Sequence, residues 1–322
     1  MPTSTERLVD TNGVQLRVIE AGDRGAPVVI LAHGFPELAY SWRHQIPALA
    51  EAGYHVLAPD QRGYGGSSRP DAIEAYNIHE LTADLVGLLD DVGAERAVWI
   101  GHDWGAVVVW SAPLLHPDRV AAVAALSVPP LPRAKVPPTQ AFRATFGENF
   151  FYILYFQEPG VADAELDADP ARTMRRMMGG LRASGDQSAA LRMVAPGPEG
   201  FVERLPEPDR LPDWLSQYEL DHYISEFSRT GFTGGLNWYR NFDRNWETTP
   251  KLQGTKISVP CLFIAGTADP VLAFTRADRA PEVISGPYRQ VMIDGAGHWL
   301  QQERPGEVNA TLLEFLNGLE PR

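Results

Sequence analysis

Val98-Trp99-Ile100-Gly101-His102-Asp103-Trp104-Gly105-Ala106-Val107-Val108-Val109 is the stretch whose reading decides the fold. Residues 97–100 form an apolar run that reads as a short buried strand, and residues 107–110 read as the start of a buried helix. Between them one acid stands among the small residues Gly101, Gly105 and Ala106. A strand that turns into a helix this abruptly drives the middle residue into a strained backbone, and flanking glycines leave room for the close approach. The pattern is a nucleophile elbow, G-x-S-x-G, with aspartate in the place of serine. An aspartate side chain ordinarily titrates near pH 4, at about 3.9, so it is already an anion at neutral pH. Its attack needs no base, and a carboxylate attacks best at a saturated carbon bearing a leaving group, which leaves an ester on the protein. The plainer alternative is a glycine-flanked Asp103 that only caps a helix.

The rest of the composition sets bounds. The chain has 322 residues, enough for one large α/β domain or a core with an insertion. Its net charge of −13 argues against a nucleic-acid or anionic-membrane surface. Cys261 is the one cysteine, so no intrachain disulfide can form, and its apolar neighbours mark it as a small core residue. Met1-Pro2-Thr3-Ser4-Thr5-Glu6-Arg7 does not read as a signal peptide, and no apolar run approaches the roughly 18 residues of a membrane span. A cytoplasmic protein is expected.

Outward from the elbow the chain alternates strands and helices. Residues 8–10 and 14–20 flank Thr11-Asn12-Gly13, a hairpin signal. Residues 27–32, 55–58, 97–100 and 120–126 are apolar runs, with helical patterns at 41–50, 78–92 and 107–115 between them. That rhythm predicts an α/β fold: a mostly parallel sheet flanked by helices. Pro113 should kink the elbow helix or end its regular hydrogen bonding near Val109. After Val128-Pro129-Pro130-Leu131-Pro132 the strand runs stop until about residue 246, and five of the ten tyrosines fall in this interval. Strands then resume at 259–265 and 290–293, followed by a helix at 307–316 that stops at Asn317-Gly318. The expected organisation is a core domain of residues 1–130 and 247–322, interrupted by a helical cap, or lid, at 131–246.

Open α/β sheets place their sites beyond the carboxyl ends of the strands. Four such loops carry reactive residues: Asp103, Asp269, His298, and His33-Gly34-Phe35-Pro36-Glu37. The chain order acid, acid, histidine matches the nucleophile…Asp/Glu…His order of the elbow plan. Singly, Asp269 reads equally well as a helix cap and His298 as a surface histidine; jointly they read as a triad. His298 would take a proton from water, with Asp269 holding its tautomer, so that water cleaves the ester on Asp103. The oxyanion formed would meet the backbone N–H of Trp104 and of Phe35, and losing one such donor typically costs about 3 kcal/mol. Phe35-Pro36 is a candidate cis bond. His33, Gly34 and Pro36 support this loop; His102 is placed beside the site without a direct role.

Beyond these residues, the motifs resemble a family. His33-Gly34-Phe35-Pro36-Glu37, Gly101-His102-Asp103-Trp104-Gly105, Tyr152-Ile153-Leu154-Tyr155-Phe156-Gln157-Glu158-Pro159-Gly160, Asn237-Trp238-Tyr239-Arg240-Asn241 and Gly297-His298-Trp299 together look like the soluble epoxide hydrolases of the α/β-hydrolase fold, in a bacterial member. The resemblance covers nearly the whole chain. It implies that Tyr152 and Tyr239 hold and protonate the epoxide oxygen, with Tyr155 the rival for Tyr152. A phenol of pKa about 10 stays protonated at neutral pH, as that role requires.

The expected activity is therefore hydrolysis of an epoxide to a vicinal diol through an aspartyl ester. The partners are the epoxide and water, and a homodimer is left open. No cofactor is expected, and no metal, since no His/Cys/carboxylate set has metal-ligand spacing. Two alternatives stay open on the sequence. A haloalkane or haloacid dehalogenase would use the same ester chemistry, with Trp104 among its halide donors. A non-catalytic small-molecule receptor on the same fold would not need the full Asp103, Asp269 and His298 set.

Overall fold

The computed structural model describes residues 4–180, 192–273 and 275–319. The chain divides into two compact units. The first comprises Met1–Ser68, Ile78–Pro132 and Gly254–Arg322, and the second Arg69–Asn77 and Arg133–Gln253.

The first unit is built on one eight-stranded sheet in the order β1-β2-β4-β3-β5-β6-β7-β8. The strands are β1 (Thr5–Thr11), β2 (Val14–Ala21), β3 (Val28–Ala32), β4 (His55–Pro59), β5 (Ala97–His102), β6 (Val120–Leu126), β7 (Cys261–Gly266) and β8 (Tyr288–Ile293). β2 runs antiparallel to both its neighbours, and the pairs from β4 to β8 are parallel. β3, β4, β5, β6 and β7 are buried along their whole length, as strands covered on both faces must be. β8, at the edge, exposes Arg289, Gln290 and Met292, and the charge of Arg289 discourages further pairing.

Alternate strand residues feed the two layers of core. Val29, Leu31, Val98, Ile100, Ala122, Ala124, Leu262 and Ile264 share one cluster with Ile46 and Leu49 of α1 (Gln45–Glu51) and with Val308, Leu312 and Leu316 of the helix Pro305–Asn317. The opposite face takes α2 (Ile78–Asp91) and α3 (Trp104–Leu115). The helix expected over 41–50 is split: a 3-10 turn at Ala39–Trp42 precedes α1. The elbow helix starts at Trp104, three residues before its expected start, and it does not stop near Val109. Pro113 lies buried inside it. Its missing N–H deprives only the Val109 carbonyl of a partner, and the surrounding apolar packing carries the helix on to Leu115. Cys261 opens β7 and is buried; burial pushes its thiol up to about 12, as expected of a packing residue rather than a nucleophile.

Among its described residues the regular elements of the second unit are all helices, including Tyr152–Tyr155, Val161–Ala168, Pro170–Gly180, Gln217–Thr230 and Thr233–Arg240. Its core is aromatic and methionine-rich: Phe156, Met174, Phe201, Tyr223, Phe227, Phe232 and Trp238 are all buried. Gln217–Thr230 starts on a capping box formed by Ser216 and Glu219. Arg69–Asn77, which the sequence reading assigned to residues 1–130, groups with this unit. Asn241 Nδ2 ties it there by donating to the Ile73 carbonyl at 2.6 Å. No helix among the described residues is long and apolar enough to cross a membrane.

Candidate active site

The elbow is as sharp as its sequence demands. Asp103 sits at φ 51° and ψ −116°, a left-handed conformation that costs an ordinary residue of order 1–3 kcal/mol. The helix compensates at once, because the Asp103 carbonyl accepts from the N–H of Ala106 and Val107 at 3.0 and 3.3 Å. The neighbouring glycines are there for space. A Cβ on Gly101 would lie 2.2 Å from the Gly105 carbonyl oxygen, and one on Gly105 would lie 2.0 Å from that of Ala32. A Cβ on Gly34 would come within 2.4 Å of the Cβ of Asp103.

The sheet register brings the other residues to the same end. Ala32 pairs with Gly101, His102 with Leu126, and Gly266 with Ile293. The loops that follow these positions therefore emerge side by side, bearing Phe35, Asp103, Ser127, Asp269 and His298. The Phe35 N–H donates to Asp103 Oδ1 at 2.9 Å, and the Phe35-Pro36 bond is cis, as expected. His298 Nε2 stands 3.6 Å from Asp103 Oδ2. Its Nδ1 faces both oxygens of Asp269 at 3.1 Å. Asp269 is also held by the Val271 N–H, which donates to its Oδ1 at 2.9 Å.

These three charges set one another. Burial pushes the Asp103 carboxyl up, but the close contact and charge of His298, the charge of His102 and the Phe35 N–H outweigh it, and the group ends below the usual carboxylate range. Burial likewise opposes ionisation of Asp269, and the charge and hydrogen bond of His298 bring it down. Burial alone would lower His298; the charge of Asp269, the contact with Asp103 and the Asp103 charge raise it well above an ordinary imidazole. Both carboxylates favour the protonated form of the ring between them.

Below the triad lies a buried polar network that the sequence reading did not foresee. His102 Nδ1 faces Glu37 Oε2 at 2.6 Å, and its Nε2 faces the His298 carbonyl oxygen at 2.8 Å. Both ring nitrogens thus face oxygen partners. Glu37 Oε2 accepts the Gly34 N–H at 2.8 Å, and its Oε1 accepts from Gln301 and Gln302 at 2.8 and 3.3 Å. Ser127, with φ 68°, donates its hydroxyl to the same His298 carbonyl at 3.0 Å. Glu37 belongs to the His33-Gly34-Phe35-Pro36-Glu37 motif, which by itself gives it no role. Gln301, Gln302 and Ser127 gave no signal at all.

The supporting loop is locked in the same way. His33 Nδ1–H donates to the Gly34 carbonyl and its Nε2 accepts the Gln61 N–H, both at 2.9 Å. Burial keeps this ring below the usual imidazole range, hence neutral. Trp104, the first residue of α3, is buried.

In the second unit, Tyr152 opens the single turn Tyr152–Tyr155 and Tyr239 lies near the end of Thr233–Arg240. Their ring centroids are 6.0 Å apart at an interplanar angle of 76°. Tyr155 has another engagement: its hydroxyl donates to Glu165 Oε2 at 2.9 Å.

Comparison with known proteins shows the family. Residues 27–305 match the family described as alpha/beta hydrolase fold. The chain is 84% identical to Epoxide hydrolase A of Mycobacterium tuberculosis, over 100% of both chains. The crystal structure of Epoxide Hydrolase A from Mycobacterium thermoresistibile superposes with a TM-score of 0.97 at 72% identity, covering 99% of this chain and 100% of that one. An epoxide hydrolase from an endophytic Streptomyces gives 0.94 at 41% identity, over 98% and 96% of the two chains. With an aspartate at the elbow, a histidine and a second aspartate behind it, and relatives of this closeness, the chain belongs to the epoxide hydrolases of the α/β-hydrolase fold.

Proposed function

We propose that this protein hydrolyses epoxides to vicinal diols in two steps. In the first, Asp103 Oδ2 attacks a ring carbon, the carbon–oxygen bond breaks, and the leaving oxygen takes a proton from Tyr152 or Tyr239. In the second, His298 removes a proton from water, which attacks the ester carbonyl at Asp103 Cγ; the tetrahedral oxyanion collapses, the Cγ–Oδ2 bond breaks, the departing diol oxygen takes the proton back from His298, and the acid proton left on Asp103 returns to the tyrosine. The observation that carries this reading is the division of labour on one carboxylate. Oδ1 already accepts the Phe35 N–H, while Oδ2 is left facing His298 without a direct hydrogen bond. Oδ1 is therefore the oxygen suited to become the ester carbonyl and then the oxyanion, with Phe35 and, in this proposal, Trp104 donating to it.

The upward shift of His298 fits the sequence of events. Alkylation turns Asp103 into a neutral ester, which removes one of the two charges that raise His298. The ring then gives up its proton more readily and becomes the base that the second step needs. Tyr155 is committed to Glu165, which supports Tyr152 as the donor. The second unit, which holds most of the cap expected at 131–246, is assigned to substrate binding, and a cytoplasmic setting suits the acidic, single-cysteine sequence. No observation favours a halide leaving group or a receptor.

A single turnover in heavy-oxygen water tests the scheme. The label is expected in a carboxylate oxygen of Asp103 and not in the diol. Label in the diol after one turnover would mean direct attack by water and would overturn the two-step reading.

A further inference from the structure

The motifs around the two tyrosines contain more than the tyrosines. We infer that Gln157, seconded by Arg240, is a positioning residue that fixes Tyr152 and Tyr239 against each other for ring opening. The inference rests on the proposed role of those tyrosines as proton donors.

Tyr152 stands on a helix of four residues, Tyr152–Tyr155. A single turn is far below the roughly 12–15 residues at which a helix begins to hold itself in water. The last carbonyls of any helix lack partners within it, and in a turn this short Ile153 is among them. Something outside the turn must fix it. Gln157 Nε2 donates to the Ile153 carbonyl at 2.8 Å and to the Tyr239 carbonyl at 3.0 Å. A primary amide has two N–H groups, and both are spent here. One planar group therefore joins the backbone next to one tyrosine to the backbone of the other.

Arg240 makes a second tie. Its Nε donates to the Phe156 carbonyl at 3.1 Å, and its Nη1 to Asn237 Oδ1 at 2.9 Å. The guanidinium is buried against Asp163, with which it is ion-paired. Between the ties, the buried ring of Phe156 is a wedge: its centroid lies 5.6 Å from Tyr152 and 5.1 Å from Tyr239. Two phenols that serve one oxygen must converge on it, and these ties set their separation. The hydrogen bonds of Gln157 and Arg240 end on residues of the second unit. The ties therefore bear on ring opening and not on ester hydrolysis.

The test separates the two half-reactions by quenched-flow mass spectrometry of the intact protein, with styrene oxide as the probe. Gln157→Glu keeps the shape but sets a carboxylate against two carbonyl oxygens. Gln157→Met fills the space without donors and guards against misfolding of the first variant. Both should slow ester formation by about 10- to 100-fold, since a misplacement of about 1 Å can cost roughly 100-fold. Ester breakdown should keep the wild-type rate. Tyr152→Phe and Tyr239→Phe are run alongside. If they slow ester formation and both Gln157 variants do not, the positioning role is wrong and the donor role stands. If the tyrosine variants leave ester formation unchanged, the donor role falls and the inference with it. Equal loss in both half-reactions would make Gln157 a purely structural residue and overturn the inference as well.

Discussion

His298 Nε2 and Asp103 Oδ2 face each other at 3.6 Å, close enough for paired charges and too far for a direct hydrogen bond. Across this gap the proposed nucleophile and base stabilise each other's charge while each stays free for its own step.

Asp103→Asn removes the facing charge. His298 is raised by Asp269 and by Asp103 together, so the variant should lose its ring proton at a lower pH than the wild type. An NMR titration of the His298 ring reads this directly; an unchanged titration would show that Asp269 alone sets the histidine. By the same sign, ester hydrolysis should persist to lower pH than the resting histidine would allow, because the ester also lacks the charge. Asp103→Ala should bind substrate and turn over none.

His298→Gln leaves the first step intact and removes the base of the second. The ester should accumulate, seen as a mass increase equal to that of the epoxide. A variant that neither accumulates adduct nor turns over would contradict this order of events.

Gly34→Ala places a methyl group 2.4 Å from the Asp103 Cβ. Forced overpacking of this kind typically costs about 1–3 kcal/mol, and here the group displaced is the proposed nucleophile. The fold should survive by circular dichroism, while the rate of ester formation drops by roughly 10-fold or more, in line with the cost of small misplacements.

Glu37→Leu leaves the His102 ring, the Gly34 N–H and the amides of Gln301 and Gln302 without their common acceptor. Leaving a buried polar group without its partner costs about 1–3 kcal/mol, more where the group is charged. Urea denaturation should show a loss of that order. Glu37→Gln, which keeps an acceptor, should lose less.

The sequence by itself determined the sheet, the elbow and the trio of Asp103, Asp269 and His298. Apolar runs such as Val120–Leu126 can be satisfied only inside a covered sheet, and the space around Asp103 admits only glycine at Gly34, Gly101 and Gly105. Such constraints are local, and local constraints are written in residue order. What the tertiary structure decided is which polar side chains turn inward. Glu37, Ser127, Gln301 and Gln157 would pass for surface residues in any linear reading. They are engaged because distant parts of the chain meet them at hydrogen-bond distance: Ser127 finds the His298 carbonyl, Gln157 that of Tyr239, and Gln301 the Glu37 carboxylate. Pro113 does not end its helix near Val109 for a related reason: the apolar packing around α3 offsets the cost of about 3 kcal/mol and carries the helix to Leu115. Partners for buried polar groups are found by the folded chain, and only its three-dimensional neighbours name them.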